Sequence, residues 1–85
     1  MPYAISYVPS AAKVIRKLDV PTARRLLGAI GALAGDPRPS GCLQLKGGDG
    51  VLRIRVGDYR VVYDVQDDEL VVLVLRVGHR REVYR

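Results

Sequence analysis

The spacing of apolar residues changes along this chain. From Tyr3 to Val8 they alternate weakly among β-favouring residues and stop at Pro9, which predicts a first strand. Val14, Ile15 and Leu18 then recur at helical spacing with Lys13, Arg16 and Lys17 turned outward, so a helix is expected from Ala11 with Ser10 as its cap. A second helix is expected to be capped by Asp19 and to carry Pro21 in its first turn. It places Ala23, Leu26, Leu27, Ile30, Leu33 and Ala34 on one face. Gly28 and Gly31 each weaken such a helix by up to about 1 kcal/mol relative to alanine. They point to close packing against the sheet or the first helix, or to a partner helix lying there.

Past the breaker-rich loop Gly35-Asp36-Pro37-Arg38-Pro39-Ser40-Gly41 the period shortens to two. A short segment, Cys42 to Leu45, and the turn Lys46-Gly47-Gly48-Asp49-Gly50 precede three expected strands, Val51 to Val56, Tyr59 to Gln66 and Leu70 to Val77. Gly57-Asp58 and Asp67-Asp68-Glu69 join them as tight hairpins. The glycines at 47, 48 and 50 read as a turn and not as a phosphate loop, since no helix follows them. The expected architecture is α+β in a single domain over residues 1–85: an N-terminal strand, an αα-hairpin, then an antiparallel β-meander with the helices on one face.

Alternation sorts the strand residues onto two faces. Leu52, Ile54 and Val56, then Tyr59, Val61, Tyr63 and Val65, then Leu73, Leu75 and Val77 are expected to face the helices, with both tyrosines as packing residues. Arg53, Arg55, Arg60, Val62, Asp64, Val72, Val74 and Arg76 fall on the uncovered face. The segment Gly78 to Arg85 brings His79, Arg80, Arg81 and Tyr84 towards the same end of the sheet. Two readings follow: an arginine face that grips nucleic-acid phosphate, or the solvated face that antiparallel sheets commonly leave.

Charge favours the first. The chain carries 14 Lys and Arg against 9 Asp and Glu, a formal charge of +5, and most of the cations are arginine. A guanidinium holds phosphate through a fixed two-pronged fork, which solubility alone does not require. Other chemistry is thin. Cys42 is the single cysteine and cannot close an internal disulfide; with one histidine it cannot complete a four-ligand zinc site, so neither metal nor cofactor is expected. His79 alone cannot supply both the acid and the base of a histidine-pair ribonuclease. The longest apolar run, Leu70 to Leu75, is far too short to span a bilayer, and Met1 to Ile5 has no basic leader, so a cytoplasmic protein without a membrane partner is expected.

The run Lys46-Gly47 … Leu52-Arg53-Ile54-Arg55-Val56-Gly57-Asp58-Tyr59-Arg60-Val61-Val62-Tyr63, followed by Val71-Val72-Leu73-Val74-Leu75-Arg76-Val77-Gly78-His79-Arg80-Arg81-Glu82-Val83-Tyr84, closely resembles the RelE family of bacterial toxins. The resemblance covers nearly the whole chain. It implies an architecture like that of microbial ribonucleases, cleavage of mRNA in the ribosomal A site, and a cognate antitoxin as partner, with mRNA and ribosomal RNA as the other contacts. The site residues it implies are Arg53, Arg55, Arg60, Arg80 and Tyr84, with Lys46, Arg76, His79 and Arg81 as further RNA contacts. At positions 53 and 55 family members carry lysine where this chain has arginine, which is too basic to serve as a general base. The implied reaction is attack of a ribose 2′-hydroxyl on the adjacent phosphate, without a metal. The alternative on the same scaffold is a ParE-like toxin that binds DNA gyrase and cuts no RNA; a passive RNA-binding module is a third reading.

Overall fold

The computed structural model describes residues 2–44 and 50–79. In chain order these form β1 (Ala4–Tyr7), α1 (Pro9–Arg16), α2 (Val20–Ala32), β2 (Leu43–Gln44), β3 (Val51–Val56), β4 (Tyr59–Gln66) and β5 (Val71–His79). The sheet order is β1-β5-β4-β3-β2. The meander β2 to β5 is antiparallel, as expected, but β1 joins the edge of β5 in parallel, from Ala4 opposite Val71 to Tyr7 opposite Val74. The sheet is therefore mixed. A parallel pair requires a crossover, and here the αα-hairpin and strands β2 to β4 lie between its two strands.

Helix starts follow local chemistry, with one difference from expectation. Pro9, not Ala11, opens α1; Val8 stands at the cap with an extended backbone and no side-chain bond, so Ser10 is not the cap. Proline suits that first position because its missing N–H would have had no helical partner. Asp19 caps α2 as expected. Its carboxylate accepts from the Thr22 N–H at 3.2 Å and from the Thr22 hydroxyl at 2.9 Å. Ala11, Ile15, Leu26, Ile30 and Leu33 then pack on Leu52, Ile54, Val61, Tyr63 and Val65, forming one core on the helix side of the sheet.

The last strand departs from simple alternation. Val72 and Val74, expected on the uncovered face, are fully buried in the core, and the half-buried Leu73 and Leu75 are the ones turned away from it. The cause is an irregularity in the β4–β5 ladder: Tyr63 lies opposite Val74 and Val62 opposite Arg76, so Leu75 has no partner. A bulge inserts one residue and shifts the sequence parity beyond it. Val77 is thereby returned to the core, and Arg76 stays on the open face beside Val62.

Of the two expectations for Gly28 and Gly31, close packing against the sheet or the first helix is not found. Both are exposed, and a Cβ at either would meet nothing within 4 Å among the described residues, which agrees with the other, a face free for a partner helix. Gly28→Ala and Gly31→Ala are each expected to raise the unfolding free energy of the isolated protein, by up to about 1 kcal/mol. Urea unfolding checks this; a loss of stability in either variant would mean that this helix face is packed.

Candidate phosphate-binding site on the open sheet face

The register of the meander decides which arginines meet. Arg55 lies directly opposite Arg60, while one row along, Arg53 and Arg76 flank Val62 on either side. Directly opposed residues of an antiparallel pair have Cβ atoms roughly 5 Å apart, where like charges repel. An anion seated between Arg55 and Arg60 would offset that repulsion. Gly41 and Leu43 close the edge, and with Arg53, Arg55 and Arg60 they line a concavity of about 220 Å³. Gly41 sits at φ +91, a conformation that glycine takes at little cost, where the chain turns into β2.

The arginines differ in how firmly they are held. Arg60 is only 5% exposed, and its Nη1 donates to the Tyr59 carbonyl at 3.1 Å and to the Gly57 carbonyl at 3.4 Å. Arg53 is half-buried, and Arg55 and Arg76 are exposed. A guanidinium fixed before the ligand arrives loses little side-chain freedom on binding, which is the condition for a preorganised anion site.

His79 does not line this concavity. It lies opposite Tyr59 at the end of β5, and the two rings meet edge to face at 5.7 Å and 81°. Gly78 is the residue facing Arg60, so alternation puts His79 on the helix side. The sequence reading ended this strand at Val77 and so missed the continued alternation. Tyr59 and Tyr63 pack as expected, half-buried and fully buried respectively. Lys46, Arg80, Arg81 and Tyr84 lie outside the described residues.

A larger cleft adjoins the concavity and was not anticipated. It encloses about 620 Å³ between α2 and β3, with Ala29, Ala32, Leu33 and Ile54 as apolar lining, and it shares Gly41 and Arg55 with the arginine site. Small side chains at positions 29 and 32 of α2 open it, and their spacing is visible in the sequence.

The other end of the sheet is acidic. Asp67 receives both Arg38 Nη1 at 3.2 Å and Nη2 at 2.9 Å, and the Tyr3 hydroxyl at 2.6 Å. These bonds, Arg38 first and Tyr3 second, hold the Asp67 carboxyl below its usual range. Seven residues of strand rise put Asp67 about 20 Å from Arg60, so this ion pair is remote from the concavity. Because the fold lowers the Asp67 pKa, its contribution is complete above the ordinary carboxyl value of about 4 and is lost as pH falls below it. Thermal melts between pH 3 and 7 are expected to show a shallower acid decline for Asp67→Asn than for wild type; the pair is solvent-exposed, so the change is small.

Comparison with known proteins decides the family. Residues 5–84 match the family model described as the ParE toxin of the type II toxin–antitoxin system, parDE. The chain belongs to the RelE/ParE superfamily of type II toxins. Toxin RelG of Mycobacterium tuberculosis is 31% identical to this toxin over 90 residues, covering 100% of this chain and 99% of RelG. Among solved structures, the archaeal RelE–RelB complex from Pyrococcus horikoshii OT3 superposes with a TM-score of 0.83 at 28% identity, covering 96% of this chain and 99% of that one. A doubly arginine-substituted E. coli RelE in the free state gives a TM-score of 0.82 at 31% identity, covering 99% and 92%. The toxin thus has the RelE fold: two helices on one face of a five-stranded mixed sheet. No helix among its described residues is long and apolar enough to cross a membrane.

Proposed function

We propose that this toxin is a ribosome-dependent endoribonuclease that cuts mRNA in the ribosomal A site, and that the arginine concavity holds the scissile phosphate. The observation that carries this reading is the convergence of Arg53, Arg55 and Arg60 on one concavity, with Arg55 and Arg60 directly opposed across two strands. RelE and RelG relatives add support. The 2′-oxygen of the ribose bonds to phosphorus as the bond to the 5′-oxygen breaks, leaving a cyclic phosphate and a free 5′-hydroxyl. The proton leaves the 2′-oxygen and one is taken up by the 5′-oxygen. Arg60, held by the backbone, and Arg55 and Arg53 beside it supply positive charge where the pentavalent phosphorane gathers negative charge, so the reaction needs no metal.

Arginine cannot take the 2′-hydroxyl proton, and His79 faces away from the concavity beside Tyr59. On this reading the rate comes chiefly from in-line positioning and charge stabilisation, and the ribosome supplies the ordered substrate. Arg80 at the leaving oxygen and Tyr84 against a base belong to the same proposal, with Lys46, Arg76 and Arg81 as further RNA contacts. The toxin acts in the cytoplasm, and a cognate antitoxin silences it; the P. horikoshii relative was solved in complex with RelB.

Primer extension on a message translated in a reconstituted system is expected to show new 5′ ends only when toxin and ribosomes are both present. The ParE description of the matching family model favours a second reading, binding of DNA gyrase without cleavage. Intact message together with lost gyrase supercoiling would establish that reading and remove the nuclease.

A further inference from the structure

Arg60, which lines the concavity, does not extend freely from its strand. It folds back on the hairpin that precedes it, and the same Nη1 donates to the Tyr59 and Gly57 carbonyls. The Gly57 carbonyl belongs to the turn, and the Tyr59 carbonyl to the first residue that the turn delivers into β4. Gly57 sits at φ +61, whereas Asp58 has no positive φ; a positive φ at the first of two turn residues alone is the type II′ arrangement, which favours glycine there. The side of Gly57 where a side chain would stand is occupied: a Cβ there would lie 3.1 Å from Arg25 Nη2 and 3.6 Å from its Cζ. The turn therefore lies between a helix arginine and a sheet arginine.

We infer that the Gly57–Asp58 turn is a positioning element for Arg60, with Gly57 as its determining residue. The positive φ of Gly57 sets the direction of the turn's own carbonyl and the point at which Tyr59 enters β4, and the carbonyls of these two residues hold Arg60 Nη1. Gly57 itself touches no substrate. The effect on turnover rests on the nuclease reading above, whereas the tether itself does not. A residue that refuses positive φ rotates the turn and releases the guanidinium; one that tolerates it keeps the tether. Valine and asparagine separate these cases, because both place a Cβ against the flexible end of Arg25 and only asparagine accepts the backbone.

The test uses the full-length chain as Gly57→Val and Gly57→Asn. Nitrogen-15 NMR of the Arg60 guanidinium is expected to show hindered Nη rotation in wild type and Gly57→Asn, and averaged resonances in Gly57→Val. On saturating ribosomes the single-turnover cleavage rate is expected to fall by about tenfold in Gly57→Val, with ribosome affinity and the Gly57→Asn rate each within about threefold of wild type. A purely structural role for the glycine would lower the melting temperature without this split between rate and affinity. Should Gly57→Val not fold, Gly57→Ala takes its place with a smaller effect in the same direction. A folded valine variant with wild-type rate and hindered Arg60 rotation overturns the inference, as does an asparagine variant as slow as the valine one. If wild type itself leaves message uncut, the nuclease reading falls, and the NMR comparison still decides the tether.

Discussion

Arg60→Ala is expected to lower the single-turnover cleavage rate on saturating ribosomes by about 10²-fold, while ribosome affinity changes by less than about threefold. The magnitude is that of losing one preorganised charge contact to a transition state. Two observations set Arg60 apart from Arg53 and Arg55, which line the concavity with it: it is 5% exposed, and its guanidinium is bonded to two backbone carbonyls. Arg55 is exposed and Arg53 half-buried, so each contributes less fixed geometry and can in part replace the other. Arg53→Ala and Arg55→Ala singly are therefore expected to cost less in rate than Arg60→Ala, and more of their effect to appear as weakened binding. Single-turnover kinetics with a ribosome-binding assay on the same preparations separate the two quantities. A folded, ribosome-bound Arg60→Ala that cuts at the wild-type rate would reduce the arginine cluster to a solvated sheet face.

Much of this site was legible in the sequence because β3 and β4 are joined by a two-residue turn. With Gly57-Asp58 as the loop, Val56 must face Tyr59 and Arg55 must face Arg60, and alternation does the rest. Asp19 was legible for a similar reason, since a cap and its recipient, Thr22, are three residues apart. What failed depends on partners distant in sequence. The bulge at Leu75 is a property of the β4–β5 ladder and leaves no mark on β5 alone, so parity counted back from Val77 put Leu73 in the core in place of Val74. The side of the sheet that His79 takes follows from how far the strand continues. The parallel seating of β1 on β5 joins segments at opposite ends of the chain, and only four residues carry it. Which of the two expectations holds for Gly28 and Gly31 depends on where α2 sits on the sheet, which helical spacing does not determine.

Tyr63 ties the core to the segment that borders the site, and its truncation is expected to be the most damaging single change to stability. The residue is fully buried on β4, among Leu26, Ile30 and Leu33 of the core, and its hydroxyl donates to the Pro37 carbonyl at 2.8 Å. Pro37 belongs to the loop that leads through Gly41 into Leu43, and both of those line the arginine concavity. Tyr63→Ala removes the ring and the bond together and is expected to cost about 3–5 kcal/mol, a large share of the stability of so small a domain. Tyr63→Phe keeps the ring and leaves the Pro37 carbonyl without that donor, so about 1 kcal/mol is expected, with the concavity's edge loosened. Wild type and Tyr63→Phe also differ in alkali. Burial, with Cys42 beside the hydroxyl, pushes the Tyr63 phenol well above its ordinary range. The fold therefore favours the neutral phenol, so this contribution is complete below the unfolded value of about 10 and is lost as pH rises beyond it. Urea unfolding of wild type from pH 8 to 11 is expected to show stability falling above about pH 10, and Tyr63→Phe to lack that part of the decline. Parallel curves for the two proteins would mean that the buried phenol is not the group that titrates against the fold.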